Sequence, residues 1–188
     1  MKKPNGHSLP VLFIVFSLFY GAMTPLRARA ADPWERLSFL VGNWAGGGSG
    51  KPSDAVTGWT RFSMELDGKV MVRKNRAELA AKPGESSGTV HEDLMIVYPK
   101  GGGSAFLADY FDSEGHVIHY ALSFPEDQPS VVFESDSTAA GPRFRLVYAM
   151  HPPETGTQTQ RMLVNEFWIA PPAGEFRMYL RGELRKID

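Results

Sequence analysis

From Val56 to the end of the chain, apolar and polar residues alternate with a period of two, and turn-forming residues break the alternation at intervals of roughly ten positions. This pattern constrains the fold more than any other feature. Alternation puts one face of each segment into a core and the other into water, the requirement of a half-buried strand. No long segment carries a helical period. Phe62, Met64 and Leu66 share a face of the segment 60–66, Asp67-Gly68 is a two-residue hairpin signal, and the chain returns over 69–79. Further strands are predicted over 90–98, 105–112, 116–124, 131–136, 143–150, 162–170 and 176–187. Their connections, among them PKGGG, DSEG, AAGP and PPAGE, are rich in glycine and proline.

Ahead of this region stands FLVGNWAGGGSG, residues 39–50. Leu37 to Val41 is too short for an independent helix, and Gly42 tolerates the positive φ that ends a helical turn, so a short helix is expected to feed straight into a strand. Trp44 needs burial and an acceptor for its indole N–H. Gly46, Gly47, Gly48 and Gly50 suit a strand that bends at a barrel corner or lets another backbone come close. With this first strand the expectation is all-β, an antiparallel up-and-down β-barrel of about ten strands behind a short N-terminal helix. Closure leaves no exposed edge. A sandwich is the other architecture that such turn signals permit.

Lys2 and Lys3, an apolar run from Leu9 to Ala22, and Ala28-Arg29-Ala30 supply the three parts of a cleavable secretory signal. The predicted organisation is therefore a signal peptide over 1–30 and one barrel domain over 31–188, exported to a periplasm or secreted. Losing residues 1–30 removes Lys2, Lys3, Arg27 and Arg29, so the 20 basic residues become 16 against 21 acidic ones, a net −5. That balance argues against nucleic acid and against an anionic membrane surface as partners. The chain has no cysteine, which excludes disulfides, thiolate metal sites and cysteine nucleophiles.

Gly42, Asn43 and Trp44 stand in the positions of a G-x-W motif that opens the first strand after a short helix. With VRKNRAEL at 72–79, HEDLMIVYP at 91–99 and YFDSEGHVIHY at 110–120, the chain resembles the calycin superfamily, which includes lipocalins and haem-binding nitrobindins. It looks most like exported bacterial calycin-like proteins of unknown function. The resemblance implies a basic residue near the last strand covering Trp44. Arg185 is the first candidate and Arg181 the second. It also implies haem as an alternative cofactor through a late histidine, but no histidine follows His151.

Strand pairing places a polar cluster on the barrel's inner face. The Asp67-Gly68 turn sets Phe62 opposite Arg73 and Thr60 opposite Asn75. A turn centred on Ser113-Glu114 sets Asp109 opposite Ile118, and matching parity across 99–103 sets Asp93 opposite Asp109 and His91 opposite Phe111. Arg73, Asn75, His91, Asp93 and Asp109 then share the interior. Buried charges need partners. Such a cluster is either a self-satisfied polar plug or the polar end of an otherwise apolar ligand site. His91, Asp93 and Asp109 offer three metal ligands on one face, whereas His116 and His119, three apart on a strand, point to opposite faces. No metal is expected. AGGGSGKP at 45–52 lacks the first glycine and the Ser/Thr of a phosphate-binding loop, and no G-x-S-x-G elbow is present there.

The functional expectation is non-catalytic binding of a small apolar or amphipathic molecule inside the barrel. The alternatives are a nitrobindin-like haem protein, an acid–base enzyme using the interior His and Asp, and a structural barrel filled by its own side chains. For residues 162–170 the inward set is left open between Leu163, Phe167, Ile169 and Met162, Val164, Trp168.

Overall fold

A computed structural model describes residues 32–50, 56–81, 84, 86–126, 128–136, 141–152 and 161–187. The leader predicted over 1–30 lies outside the described residues. Ten antiparallel strands form one closed barrel: β1 (Gly42–Gly50), β2 (Val56–Glu65), β3 (Val70–Leu79), β4 (Thr89–Pro99), β5 (Phe106–Asp112), β6 (Val117–Ser123), β7 (Ser130–Ser135), β8 (Arg143–His151), β9 (Met162–Ala170) and β10 (Arg177–Lys186). Each strand pairs with its neighbours in sequence, and β1 closes on β10. This is the up-and-down order that the alternation predicts, and it is consistent with a calycin-like fold.

The predicted helix is a 3₁₀ helix, Pro33–Leu40. Asp32 caps it by accepting from the Trp34 backbone N–H at 3.0 Å, with Pro33 in the first turn where a missing N–H costs nothing. Leu37 and Leu40 are fully buried in the barrel core. Trp34 packs on Phe106 at 4.7 Å between ring centroids, and Arg36 lies over Phe124 and donates to its carbonyl at 3.1 Å. The helix therefore plugs the barrel end at which β5 starts and β6 finishes.

Trp44 is buried, and its Nε1 donates to the Leu40 carbonyl at 2.8 Å, joining strand to helix. Gly42 adopts φ 133° at the junction. The basic residue over the indole is Lys186, 5.6 Å from the ring, which also donates to the Val41 carbonyl at 3.0 Å. The expectation of Arg185 is corrected by one position. Trp44 pairs with Lys186, while Arg185 pairs with Ala45 and so takes the opposite face. Arg181 pairs with Glu183 and Glu166 instead.

The glycines permit close strand approach at two paired positions. A Cβ on Gly46 would lie 2.1 Å from the Glu183 carbonyl oxygen, and one on Gly58 would lie 2.1 Å from that of Arg76. Gly46 and Gly58 face each other across β1 and β2. The obstacle is backbone in both cases, so it cannot rotate away. Gly46→Val is expected to cost at least about 1–3 kcal/mol through forced separation of β1 and β10. Thermal unfolding of the variant measures this, and a wild-type melting temperature would contradict the close approach.

The β2–β3 register is as predicted, with Phe62 opposite Arg73 and Thr60 opposite Asn75. The turn is longer than the two residues expected. Leu66, Asp67 and Gly68 all have positive φ, and Lys69 N–H bonds to the Glu65 carbonyl, so Leu66 leaves the core face and is 73% exposed.

The β5 register departs from expectation. Asp93 pairs with Asp112, Met95 with Tyr110, and Asp109 with His119. Both hairpins differ from the predicted pairing by an odd number of residues, which exchanges the two faces of β5. Tyr110 and Asp112 point inward. Asp109 points outward, where it accepts from the Tyr98 hydroxyl at 3.1 Å and lies 2.7 Å from His119 Nδ1.

Candidate functional site

Packing fills only the half of the barrel nearest the helix. Phe62, Tyr148, Phe133, Tyr120 and Tyr110 form a chain of edge-to-face ring contacts with centroids 5.2–6.4 Å apart. On its far side lies a cavity of about 700 Å³. Leu79, Thr89, Val117, Phe144, Ile169 and Tyr179 are among its walls, all at the strand ends away from the helix plug. Those walls are mostly apolar and the cavity is partly open. The inward set on β9 is Leu163 and the cavity-lining Asn165, Phe167 and Ile169, which settles the face that the sequence left open.

Arg73 is central to the polar floor of this cavity. It is 5% exposed, its Nη1 lies 3.1 Å from Asp93 Oδ1, and its Nε donates to Thr60 Oγ1 at 3.3 Å. Its guanidinium lies over Tyr148 at 5.6 Å. Burial works against its charge, but Asp93 and the surrounding tyrosines more than offset this and raise its pKa. Asp93, 8% exposed, also accepts from Asn75 Nδ2 at 2.9 Å through Oδ2. The Oδ1 of Asp93 contacts Arg73 without hydrogen-bonding alignment.

His91 links floor to mouth. Its Nε2 lies 3.4 Å from Asp93 Oδ2 and 3.2 Å from the Tyr110 hydroxyl, and its Nδ1 lies 3.0 Å from Glu114 Oε1. The hydrogen bond to Asp93 raises its pKa to about 9 against the opposing effect of burial, with Glu114 adding to the rise. His91 is therefore an imidazolium near neutrality and donates from both nitrogens, which leaves it no capacity as a general base there. Burial pushes the Tyr110 and Tyr120 hydroxyls far above the usual phenol range and that of Tyr148 to about 12, so all three stay neutral.

Asp112 replaces Asp109 in this arrangement. Its Oδ1 accepts from the backbone N–H groups of Glu114 at 3.0 Å and His116 at 2.9 Å, and its Oδ2 lies 2.9 Å from His116 Nδ1. Burial opposes its charge, but the bonds from His116 and Glu114 prevail and lower its pKa.

Four of the five predicted interior residues, Arg73, Asn75, His91 and Asp93, come together as expected. Asp109 does not, because β5 presents its other face. Tyr110, Asp112, Glu114, His116, Tyr120 and Asn165 also line the cavity and were not predicted as site residues. Gly115, at φ 90°, carried the missed signal. Glycine at the third position of Ser113-Glu114-Gly115 marks a three-residue loop closing on a left-handed residue, which pairs Asp112 with His116 and sets the observed register. Tyr120 is buried, and neither its hydroxyl nor the Asn165 amide bonds to another described residue. Both offer polar contacts to an occupant of the cavity.

No family model and no curated protein matches the chain. The functional reading therefore rests on the barrel and its cavity.

Proposed function

We propose that the chain is an exported calycin-like barrel that binds a small, largely apolar or amphipathic molecule without transforming it. The cavity of about 700 Å³, with mostly apolar walls above the Arg73, Asn75, His91 and Asp93 floor, carries this reading. Its size is that of a small-molecule site, and few convergent polar groups among apolar walls is the usual composition of one. The Tyr120 hydroxyl and Asn165 amide, without hydrogen-bond partners among the described residues, supply orientation for a polar end of the ligand. A barrel filled by its own side chains is disfavoured by the open half. General-base action by the histidine or the phenols near neutrality is disfavoured by a histidine held charged and phenols held neutral. Haem ligation of nitrobindin type through a late histidine is disfavoured because His151 is not among the residues lining the cavity.

Titration with the neutral apolar fluorophore phenylnaphthylamine tests the reading. Saturable one-to-one enhancement of its emission supports a cavity site. Absence of any enhancement, or unsaturable partition, would remove the support.

A further inference from the structure

The mouth of the cavity carries a second constellation whose parts come from β4, from the end of β5 and from the loop after it. His91 Nδ1 lies 3.0 Å and 3.1 Å from the two Glu114 oxygens. His116 Nδ1 lies 2.9 Å from Asp112 Oδ2 and 3.9 Å from Glu114 Oε2. His91, Asp112 and Glu114 each offer a ligand atom within 4.8 Å of the others. A tetrahedral ion with bonds of about 2.0–2.1 Å separates its ligand atoms by about 3.3 Å, a spacing that these three side chains approach, and His116 stands beside them against Asp112 and Glu114 as a fourth. All four line the cavity, and the Asp112 side chain is 5% exposed while that of His116 is 66% exposed, which gives an ion both an inner anchor and a route in.

We infer that His91, Asp112, Glu114 and His116 form a binding site for a divalent first-row transition metal of the zinc class at the cavity mouth. Two imidazole nitrogens with two carboxylate oxygens select that class over magnesium or calcium, which favour all-oxygen sets.

The surroundings of His91 support the assignment. Its Nδ1, whose proton a bound ion would displace to solvent, faces Glu114, while Nε2 faces Asp93, a carboxylate that is itself held by Arg73 and Asn75. A metal-bound histidine characteristically donates its second N–H to such an anchored carboxylate, which fixes the tautomer and the ring plane. The loop is also pre-formed. Asp112 Oδ1 caps the Glu114 and His116 N–H groups, leaving Oδ2 toward the site, and the loop is pinned to β4 by Ser113 N–H on the Glu92 carbonyl at 2.9 Å and by Glu92 N–H on Ser113 Oγ at 3.2 Å. This set differs from the His91, Asp93 and Asp109 grouping suggested by the sequence, because Asp93 belongs to the Arg73 pair and Asp109 to the outer face. It also stands apart from the small-molecule reading, since an ion at the mouth needs no apolar ligand below it.

Calorimetric titration of the chelator-stripped full chain with zinc chloride tests the site. The result expected is one ion per chain, with nickel competing and magnesium not. Glu114→Gln and His116→Ala are each expected to weaken binding at least about tenfold, the loss typical of disturbing a metal's ligand environment. Melting curves without metal establish that both variants fold, and their positions on a loop make large losses there unexpected. His119→Ala serves as the control for ordinary surface histidine binding, because His119 pairs with Asp109 outside the barrel. Absence of one-to-one binding, binding that survives either ligand substitution, or binding removed by His119→Ala would overturn the assignment.

Discussion

Asp93→Ala lowers the melting temperature by roughly 6–20 °C, the expected result of losing about 3–5 kcal/mol when a buried ion pair keeps only one partner. The loss arises at Arg73. Its guanidinium is 5% exposed and stays charged, and Asp93 is its carboxylate partner at 3.1 Å. Removing Asp93 also takes the acceptor from Asn75 Nδ2 and from His91 Nε2. Asp93→Asn should fall between the variant and wild type, since an amide oxygen still accepts from one donor but no longer offsets the arginine charge. Differential scanning calorimetry distinguishes the three proteins. Equal melting temperatures for wild type and Asp93→Ala would mean that water reaches Arg73 and that the floor is not buried.

The second large effect is a loss of binding with the fold retained. Ala77 on β3 and Leu146 on β8 both line the cavity, on strands half-way round the ten-stranded barrel from each other. Tryptophan at both positions directs two large rings into empty space from opposite walls. Small-to-large changes are destabilising where packing is already complete, but here the cavity accepts the added atoms. The double variant is expected to melt near wild type and to lose detectable phenylnaphthylamine binding. The two single variants should bind more weakly than wild type. Unchanged affinity in the double variant, with cooperative unfolding preserved, would place the fluorophore on the outer surface.

How much of this the sequence disclosed depends on where parity could be read. The β2–β3 pairing was legible because Asp67-Gly68 and the Phe62-Met64 face fix it from both sides, and it brought Arg73 and Asn75 to the interior. His91 and Asp93 were placed inside through a pairing with β5 that does not occur, and their face is nonetheless the inner one because Met95 and Val97 continue it into the core. The face of β5 was not legible from alternation alone. Tyr110 and Phe111 are adjacent aromatics, and Asp109 and Asp112 are acids on opposite faces, so either parity gives a plausible core. Only Gly115 distinguishes a three-residue loop from a two-residue one, and that single residue decides whether Asp109 or Asp112 enters the site. At β10 the same one-residue ambiguity separates Arg185 from Lys186, both basic and both able to reach an indole. On β9 the outer face also carries large apolar residues. Val164 is buried there and Trp168 Nε1 donates to Glu166 at 3.1 Å, so the two faces look alike in sequence. The cavity was not legible at all, because whether a barrel is filled depends on side chains from all its strands together.

Native mass spectrometry of the protein purified from its own source, set beside the same sample after denaturation, tests the central claim most directly. The account predicts a reproducible extra mass of small-molecule size, present in the native protein, absent after denaturation and absent from the Ala77→Trp, Leu146→Trp double variant. Bare polypeptide mass in the native wild-type protein, or an extra mass that the double variant retains, would contradict it.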